Sequence, residues 1–340
     1  MKSTKFAFFL NKFFTVCLPS TRGCTPSTID SYRYAFILFF SFMEEKNIPA
    51  DEIEVSDLTY KLMLEFLTWL QEARNNSIAT RNQRQAAINS FIRYLMYEFP
   101  DYLAEYQLIL KIPVKKAMQK EISYMKTDGV KLLLEQVDTL TPSGLRDHAI
   151  LTLLYTTGIR VSELINIKVK DISLSAPSTL LVLGKGQKRR YVPLIKEAVE
   201  VLQGYIAQFD LDSEKSLCEW LFKSHLKEKF TRQGINYVVK KYTGKAKAKD
   251  AELIPDGFSP HKLRHSTAMG LVDSGVDLIY IRDLLGHVSV KTTEVYAKAD
   301  ATRKREAIEA ASKELVPTEI PEWENNSGLK EWLKNFNRPR

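Results

Sequence analysis

Cysteine is scarce in this 340-residue chain: Cys17, Cys24 and Cys218 are its three, with no CxxC pair among them. So odd and scattered a set excludes a disulfide framework and points to a reducing cytoplasm. Long apolar runs are also missing. No stretch of about 18 apolar residues occurs, so no membrane-spanning helix is expected. The opening MKSTKFAFFLNKFFTVCLPS has the outline of a signal peptide, but Asn11 and Lys12 interrupt its apolar stretch and no small-residue cleavage site follows. Phe6, Phe9, Leu10, Phe13 and Phe14 recur at helical spacing instead, which predicts a folded amphipathic helix. Acid is in deficit: 49 Lys and Arg face 41 Asp and Glu, a net charge of +8 that leans toward a polyanionic partner.

What is present fits a globular protein. Apolar residues make up 44% and charged residues 26%, excluding disordered and fibrous classes, and the length suffices for two domains. Residues 1–110 carry no strand signal and read as a helical bundle. Thr25 and Pro26 open one helix, whose apolar face is Ile29, Phe36, Phe39, Phe40 and Met43. A helix over 56–73 carries Leu58, Leu62, Phe66 and Leu70. The next buries Ala87, Ile88, Phe91, Ile92 and Leu95. Residues 111–122, KIPVKKAMQKEI, read as a basic linker, either a solvated connector or a strap along a phosphate backbone. The remainder is mixed. A helix ends at Gly158; INIKVKDI and TLLVL-GKGQK-RRYVPL read as strands, the latter a hairpin turning at Gly184-Lys185-Gly186. Helices follow near 194–208, 232–242, 260–273, 277–285 and 290–298, with Lys240–Lys249 as a lysine-rich loop.

Histidine is equally sparse, yet FSPHKLRHSTAMG (258–270) holds two of the five, His261 and His265, four apart on one helix. Such a pair can ligate zinc. The zinc-protease pattern, however, needs a glutamate after the first histidine, where this chain has Lys262, and no third ligand is evident. His148 and His225 lack a motif and read as packing or surface residues. What gives His261 meaning is its company. TTGIRVSEL places Arg160 after a helix-ending glycine; then come Lys185 at the hairpin tip, His261-x-x-Arg264, and LLGHVSVKTTEVYAKA with His287 and Tyr296.

This ordered set resembles the tyrosine recombinase family, the phage-integrase and Xer-like enzymes, over most of the chain. The resemblance implies a mostly α fold with a small β-sheet. A helical SAM-like core-binding domain (1–110), a linker (111–122) and a catalytic domain (123–314) would close around duplex DNA as a clamp. The tail 315–340, with Trp323, Leu329, Trp332, Leu333 and Phe336 after a proline break, reads as a docking segment, either onto a neighbouring subunit, as exchange of C-terminal segments in the family implies, or back onto its own. Arg160 and Arg264 are expected to clamp the non-bridging oxygens of a phosphodiester, since a guanidinium is a planar fork that stays charged. Tyr296 would attack phosphorus, giving a covalent 3′-phosphotyrosine and a free 5′-hydroxyl. Lys185 would protonate the departing 5′-oxygen, with Lys188 the runner-up. His261 would take the tyrosine proton and His287 would hydrogen-bond a phosphate oxygen. His265 would pack or cap within its helix. No cofactor, metal or ATP is implied, because the covalent link conserves the bond energy.

Candidate DNA contacts are Arg81, Arg84 and Gln85 on a polar helix face, Arg232 at a helix start, Lys188 and Arg190 on the hairpin, and Lys262. The partners implied are double-stranded recombination sites and a homo-tetramer passing through a Holliday junction, acting at the bacterial nucleoid. A type IB topoisomerase and a non-cleaving DNA-binding protein are the alternatives.

Overall fold

The computed structural model describes residues 4–118, 123–184 and 188–286, together with Thr293, Lys330, Leu333 and Lys334. Lys185, His287, Tyr296, the helix expected over 290–298 and most of the tail lie outside them. The chain divides into two compact units, Met1–Lys120 and Glu121–Arg340.

The first unit is helical throughout. Helix α1 (Lys5–Lys12) starts where the Thr4 side chain accepts a hydrogen bond from the Ala7 amide. It runs straight into a π-helical segment, Phe13–Thr21, whose Phe13, Cys17 and Leu18 are buried. The opening is therefore part of the core. Helix α2 (Pro26–Glu45) begins with proline at its first turn, where no amide is required. Helix α3 (Tyr60–Glu72) is capped by Thr59 and helix α4 (Ile78–Glu98) by Ser77; α5 (Leu103–Leu110) closes the bundle. Phe91 on α4 is the hub, its ring edge-on to Phe6, Phe13 and Phe36 at centroid distances of 5.6, 5.2 and 5.3 Å.

The α4 face expected to meet DNA is instead partly internal. Arg81 and Gln85 are 3% and 2% exposed. An Nη1 hydrogen of Arg81 goes to the Gln85 Oε1 at 2.6 Å, and Gln85 Nε2 donates to the Ile112 carbonyl at 2.8 Å. Asn82 binds both the amide and the carbonyl of Lys115. These side chains fix the strand that leaves α5, because its carbonyls have no helical partner once Pro113 stops the helix. Arg84 is half-buried, donating to the Ser31 carbonyl at 3.1 Å with its guanidinium over the Tyr34 ring, so it joins α4 to α2.

The second unit packs helices around a small sheet. Helix α6 (Thr127–Glu135) is followed by α7 (Pro142–Thr157), which is capped by Thr141 and ends at left-handed Gly158 (φ +59°). A short α8 (Val161–Leu164) follows. The sheet is antiparallel, β1 (Ile172–Ser173), β2 (Thr179–Leu183) and β3 (Arg189–Pro193) in that order, with Leu180 opposite Val192 on its buried face. INIKVKDI yields only the end of a strand: the Asp171 carboxylate accepts the Lys168 amide at 2.8 Å and winds Val169–Asp171 into a 3-10 turn. Helix α9 (Lys196–Gln208) precedes α10 (Arg232–Lys249). The expected lysine-rich loop is thus the second half of α10. Tyr242, Thr243 and Ala246 continue the buried face begun by Val238 and Val239, and lysine is a good helix former on the solvent side. Helices α11 (Pro260–Asp273) and α12 (Leu278–Leu285) complete the described unit. Among the described residues, no helix is long and apolar enough to cross a membrane.

Replacing Gln85 by alanine strands the Ile112 carbonyl and removes one of the acceptors of Arg81, which keeps Asn82 and the Pro113 carbonyl. We expect a loss of about 1–3 kcal/mol, read as a lower urea midpoint. An unchanged midpoint combined with weaker DNA binding would return Gln85 to the DNA-contact class.

Candidate active site

Five segments of the second unit converge where α12 ends. Leu285 is buried, and Gly286 follows in the left-handed conformation (φ +65°), leaving the last carbonyls of the helix to find donors outside it. Three arginines supply them. Arg190 Nε donates to the Leu284 carbonyl at 3.1 Å, Arg264 Nη2 to Leu285 at 2.6 Å and Arg160 Nη2 to Gly286 at 3.1 Å. Guanidinium charge at a helix C-terminus is favourable in itself, because the helix dipole ends there in partial negative charge.

Each arginine is placed by local structure. Arg160 is the N-cap of α8. Its amide donates to Glu163 Oε2 at 2.8 Å and its Nη1 to Glu163 Oε1 at 2.9 Å. Arg264 lies on the buried face of α11, 3% exposed, and its Nη1 donates at 2.5 Å to the carbonyl of Gly158. Helix α11 is pinned to α7 by Thr267, whose hydroxyl donates to the Tyr155 carbonyl at 2.6 Å. Its Ser266 accepts the Met125 amide at 2.8 Å and so fixes the chain entering the unit. The end of α7 approaches so closely that a Cβ on Gly158 would sit 2.6 Å from Leu285 and 3.3 Å from Thr267.

Glu163, a residue that the motif reading passed over, holds the arrangement together. Its side chain is 4% exposed and takes both Arg160 and Arg190. Burial favours the protonated acid, but the hydrogen bond from Arg190, the Arg160 amide and both guanidinium charges outweigh it and hold the pKa below the usual carboxylate range. The legible signal was the R-x-x-E spacing, which has the geometry of a capping box.

His261 is exposed on α11 with its ring 4.3 Å from that of His265, at 67°. Desolvation lowers its pKa, and the charges of Arg264 and then Arg160 lower it further. At neutral pH it is therefore neutral and able to accept a proton. His265, more enclosed, is lowered to about 4, by desolvation first and then by His261 and Arg264. It packs within the helix.

The remaining expected contacts divide. Arg190 is turned inward, its side chain 15% exposed and bidentate on Glu163, not facing solvent as a DNA contact would. Lys262 donates to the Asp256 carbonyl at 2.6 Å and braces the loop before α11. Lys188 and Arg232 are exposed. Among the described residues no group of three or more His, Cys, Asp or Glu side chains gathers as for a metal ion.

Residues 123–303 match the model of the phage integrase family, and residues 9–99 match the phage integrase N-terminal SAM-like domain. The chain belongs to the phage integrase family of tyrosine recombinases. It is 32% identical over 320 residues to tyrosine recombinase XerC of Caldanaerobacter subterraneus, covering 88% of this chain and 84% of that one. Its fold is similar to XerH site-specific recombinase bound to palindromic difH substrate, with a TM-score of 0.66, 23% identity and coverage of 90% and 87%. It is similar also to a lambda integrase tetramer bound to a Holliday junction, with a TM-score of 0.62, 17% identity and coverage of 84% and 78%. As a tyrosine recombinase it is a DNA-recombining enzyme.

The low His265 pKa has a consequence for stability. An unfolded histidine titrates near 6.5, whereas this one does so near 4. Between those values the unfolded chain binds a proton that the native ring refuses. The native state therefore keeps its full stability above about pH 6.5 and loses part of it as the pH falls toward 4, the loss damped by solvent around a ring that is only partly buried. His265→Asn should flatten the denaturant-midpoint curve over that window. Parallel curves for wild type and variant would contradict the assignment.

Proposed function

We propose that the chain cuts and rejoins DNA at specific sites through a covalent 3′-phosphotyrosine, exchanging strands in a homo-tetramer by way of a Holliday junction. The observation that carries this reading is the meeting of Arg160 and Arg264, from separate segments, on the consecutive carbonyls of Gly286 and Leu285, the turn that leads directly to His287. Two fixed guanidiniums at one point suit an oxyanion site for a phosphoryl transition state, whose charge gathers on the non-bridging oxygens.

In this scheme the Tyr296 phenolic oxygen attacks phosphorus and the bond to the 5′-oxygen breaks. The phenol proton passes to neutral His261. Lys185 delivers a proton to the departing 5′-oxygen, and His287 donates to a phosphate oxygen. Religation reverses the steps with a 5′-hydroxyl from another strand. The phosphoryl bond is conserved throughout, so ATP has no role, and the guanidiniums supply the charge that a metal supplies elsewhere. The lambda integrase complex supports junction exchange by a tetramer. Lys188 and Arg232, both exposed, remain as phosphate contacts, and the tail 315–340 as the docking segment between subunits.

The test uses a duplex carrying the sequence that this chain selects from a random pool. Sulfur in place of the bridging 5′-oxygen gives a leaving group whose thiol pKa is roughly 8.5, which departs without a proton. Lys185→Ala should cleave the sulfur substrate nearly as fast as wild type while staying slow on normal DNA. Arg160→Ala should be slow on both, and Tyr296→Phe inactive on both. Rescue of Lys188→Ala alone would move the acid to Lys188. Rescue of neither lysine variant would remove the hairpin from the chemistry.

A further inference from the structure

We propose that Arg190 is a positioning residue for strand cleavage, holding the Glu163 carboxylate and the last turn of α12 so that Arg160 faces the scissile phosphate with its charge undiminished. The inference rests on the reading of Arg160 as a phosphate clamp.

Arg190 uses two edges of one guanidinium. Its Nη1 and Nη2 donate to Glu163 Oε1 and Oε2 at 3.0 and 2.8 Å, while its Nε donates to the Leu284 carbonyl at 3.1 Å. One planar group thus ties β3, α8 and α12 together, which a lysine ammonium on a flexible stem cannot reproduce. The seat is shaped for it: a Cβ on Gly286 would lie 2.8–3.1 Å from the Arg190 guanidinium, so the turn accommodates the arginine because residue 286 has no side chain.

The electrostatics give the arrangement its purpose. Glu163 is nearly inaccessible and stays ionised. Facing Arg160 alone, it would cancel that charge and draw the guanidinium down onto both of its oxygens. With Arg190 present, two cations meet one anion and a net charge of +1 remains. Arg160 is the member with the open side chain, 38% exposed against 15% for Arg190, so that charge is presented outward. Arg190 satisfies the carboxylate from behind, and Arg160 needs only one Nη on it.

The experiment compares the full-length chain on two versions of its selected duplex, one with a normal scissile phosphate and one with a methylphosphonate there. Replacing a non-bridging oxygen by methyl removes the charge that Arg160 would stabilise. On normal DNA, Arg190→Ala should cleave about 100-fold more slowly while binding with wild-type affinity and salt dependence. On the methylphosphonate, its deficit relative to wild type should shrink to within a few-fold, as it should for Arg160→Ala. Arg190→Lys, which keeps a cation in the fold, should show the same rescue from a smaller deficit, and it serves if the alanine variant fails to fold. An undiminished deficit on the methylphosphonate, with Arg160→Ala rescued, overturns the proposal and leaves Arg190 a purely structural residue. Lower DNA affinity with a salt slope reduced by about one makes it a phosphate contact instead. Failure to rescue Arg160→Ala itself overturns the clamp reading, and this inference falls with it.

Discussion

A helix that ends inside a protein leaves carbonyl oxygens that must find donors, and in this recombinase the end of α12 finds them on three arginines. That requirement fixes much else. The donors come from α8, β3 and α11, so the sheet and two helices are drawn to one turn. Gly286 must lack a side chain because Arg190 occupies the space a Cβ would need. Glu163 must be ionised, since three clustered guanidiniums without an anion would repel one another in a poorly solvated site. Removing Glu163 would leave the enclosed Arg190 guanidinium without its anion, a loss of about 3–5 kcal/mol for a buried pair. The fold alone therefore fixes where these three arginines stand.

The helical unit meets a related constraint by other means. The chain leaving α5 has no helical partners after Pro113, and Arg81, Asn82 and Gln85 supply them from α4. Polar residues that outline an inviting surface on a helical wheel are thus consumed by backbone. The aromatic cluster about Phe91 supplies the apolar counterpart, and it includes the N-terminal phenylalanines that superficially resemble a targeting sequence.

Motifs with local causes were legible in the sequence. The glycine ending α7, the proline and threonine opening α2, and the full extent of α11 follow from caps and periodicity within a few residues. Arg160 and Arg264 stand out in the sequence because their neighbours form ordered motifs, and the fold brings both to the end of α12. What escaped depends on distant contacts. Nothing near Arg190 in sequence announces Glu163 or Leu284, and a basic residue on a hairpin reads equally well as a DNA contact. The second half of α10 looked like a loop because its lysines conceal the buried stripe of Tyr242, Thr243 and Ala246. INIKVKDI has strand composition, but one side-chain bond from Asp171 turns it.

If the arginine cluster serves a phosphate attacked by a tyrosine, that phosphate ends covalently bound to the protein. The most direct measurement is mass spectrometry of the protein–DNA adduct trapped on a nicked form of the selected duplex, which releases the strand beyond the cleavage point. A nucleotide joined through its 3′-phosphate to the Thr292–Lys298 peptide, at Tyr296, is expected from wild type and not from Tyr296→Phe. An adduct on any other tyrosine, such as Tyr280, or cleavage with no covalent species, would contradict it.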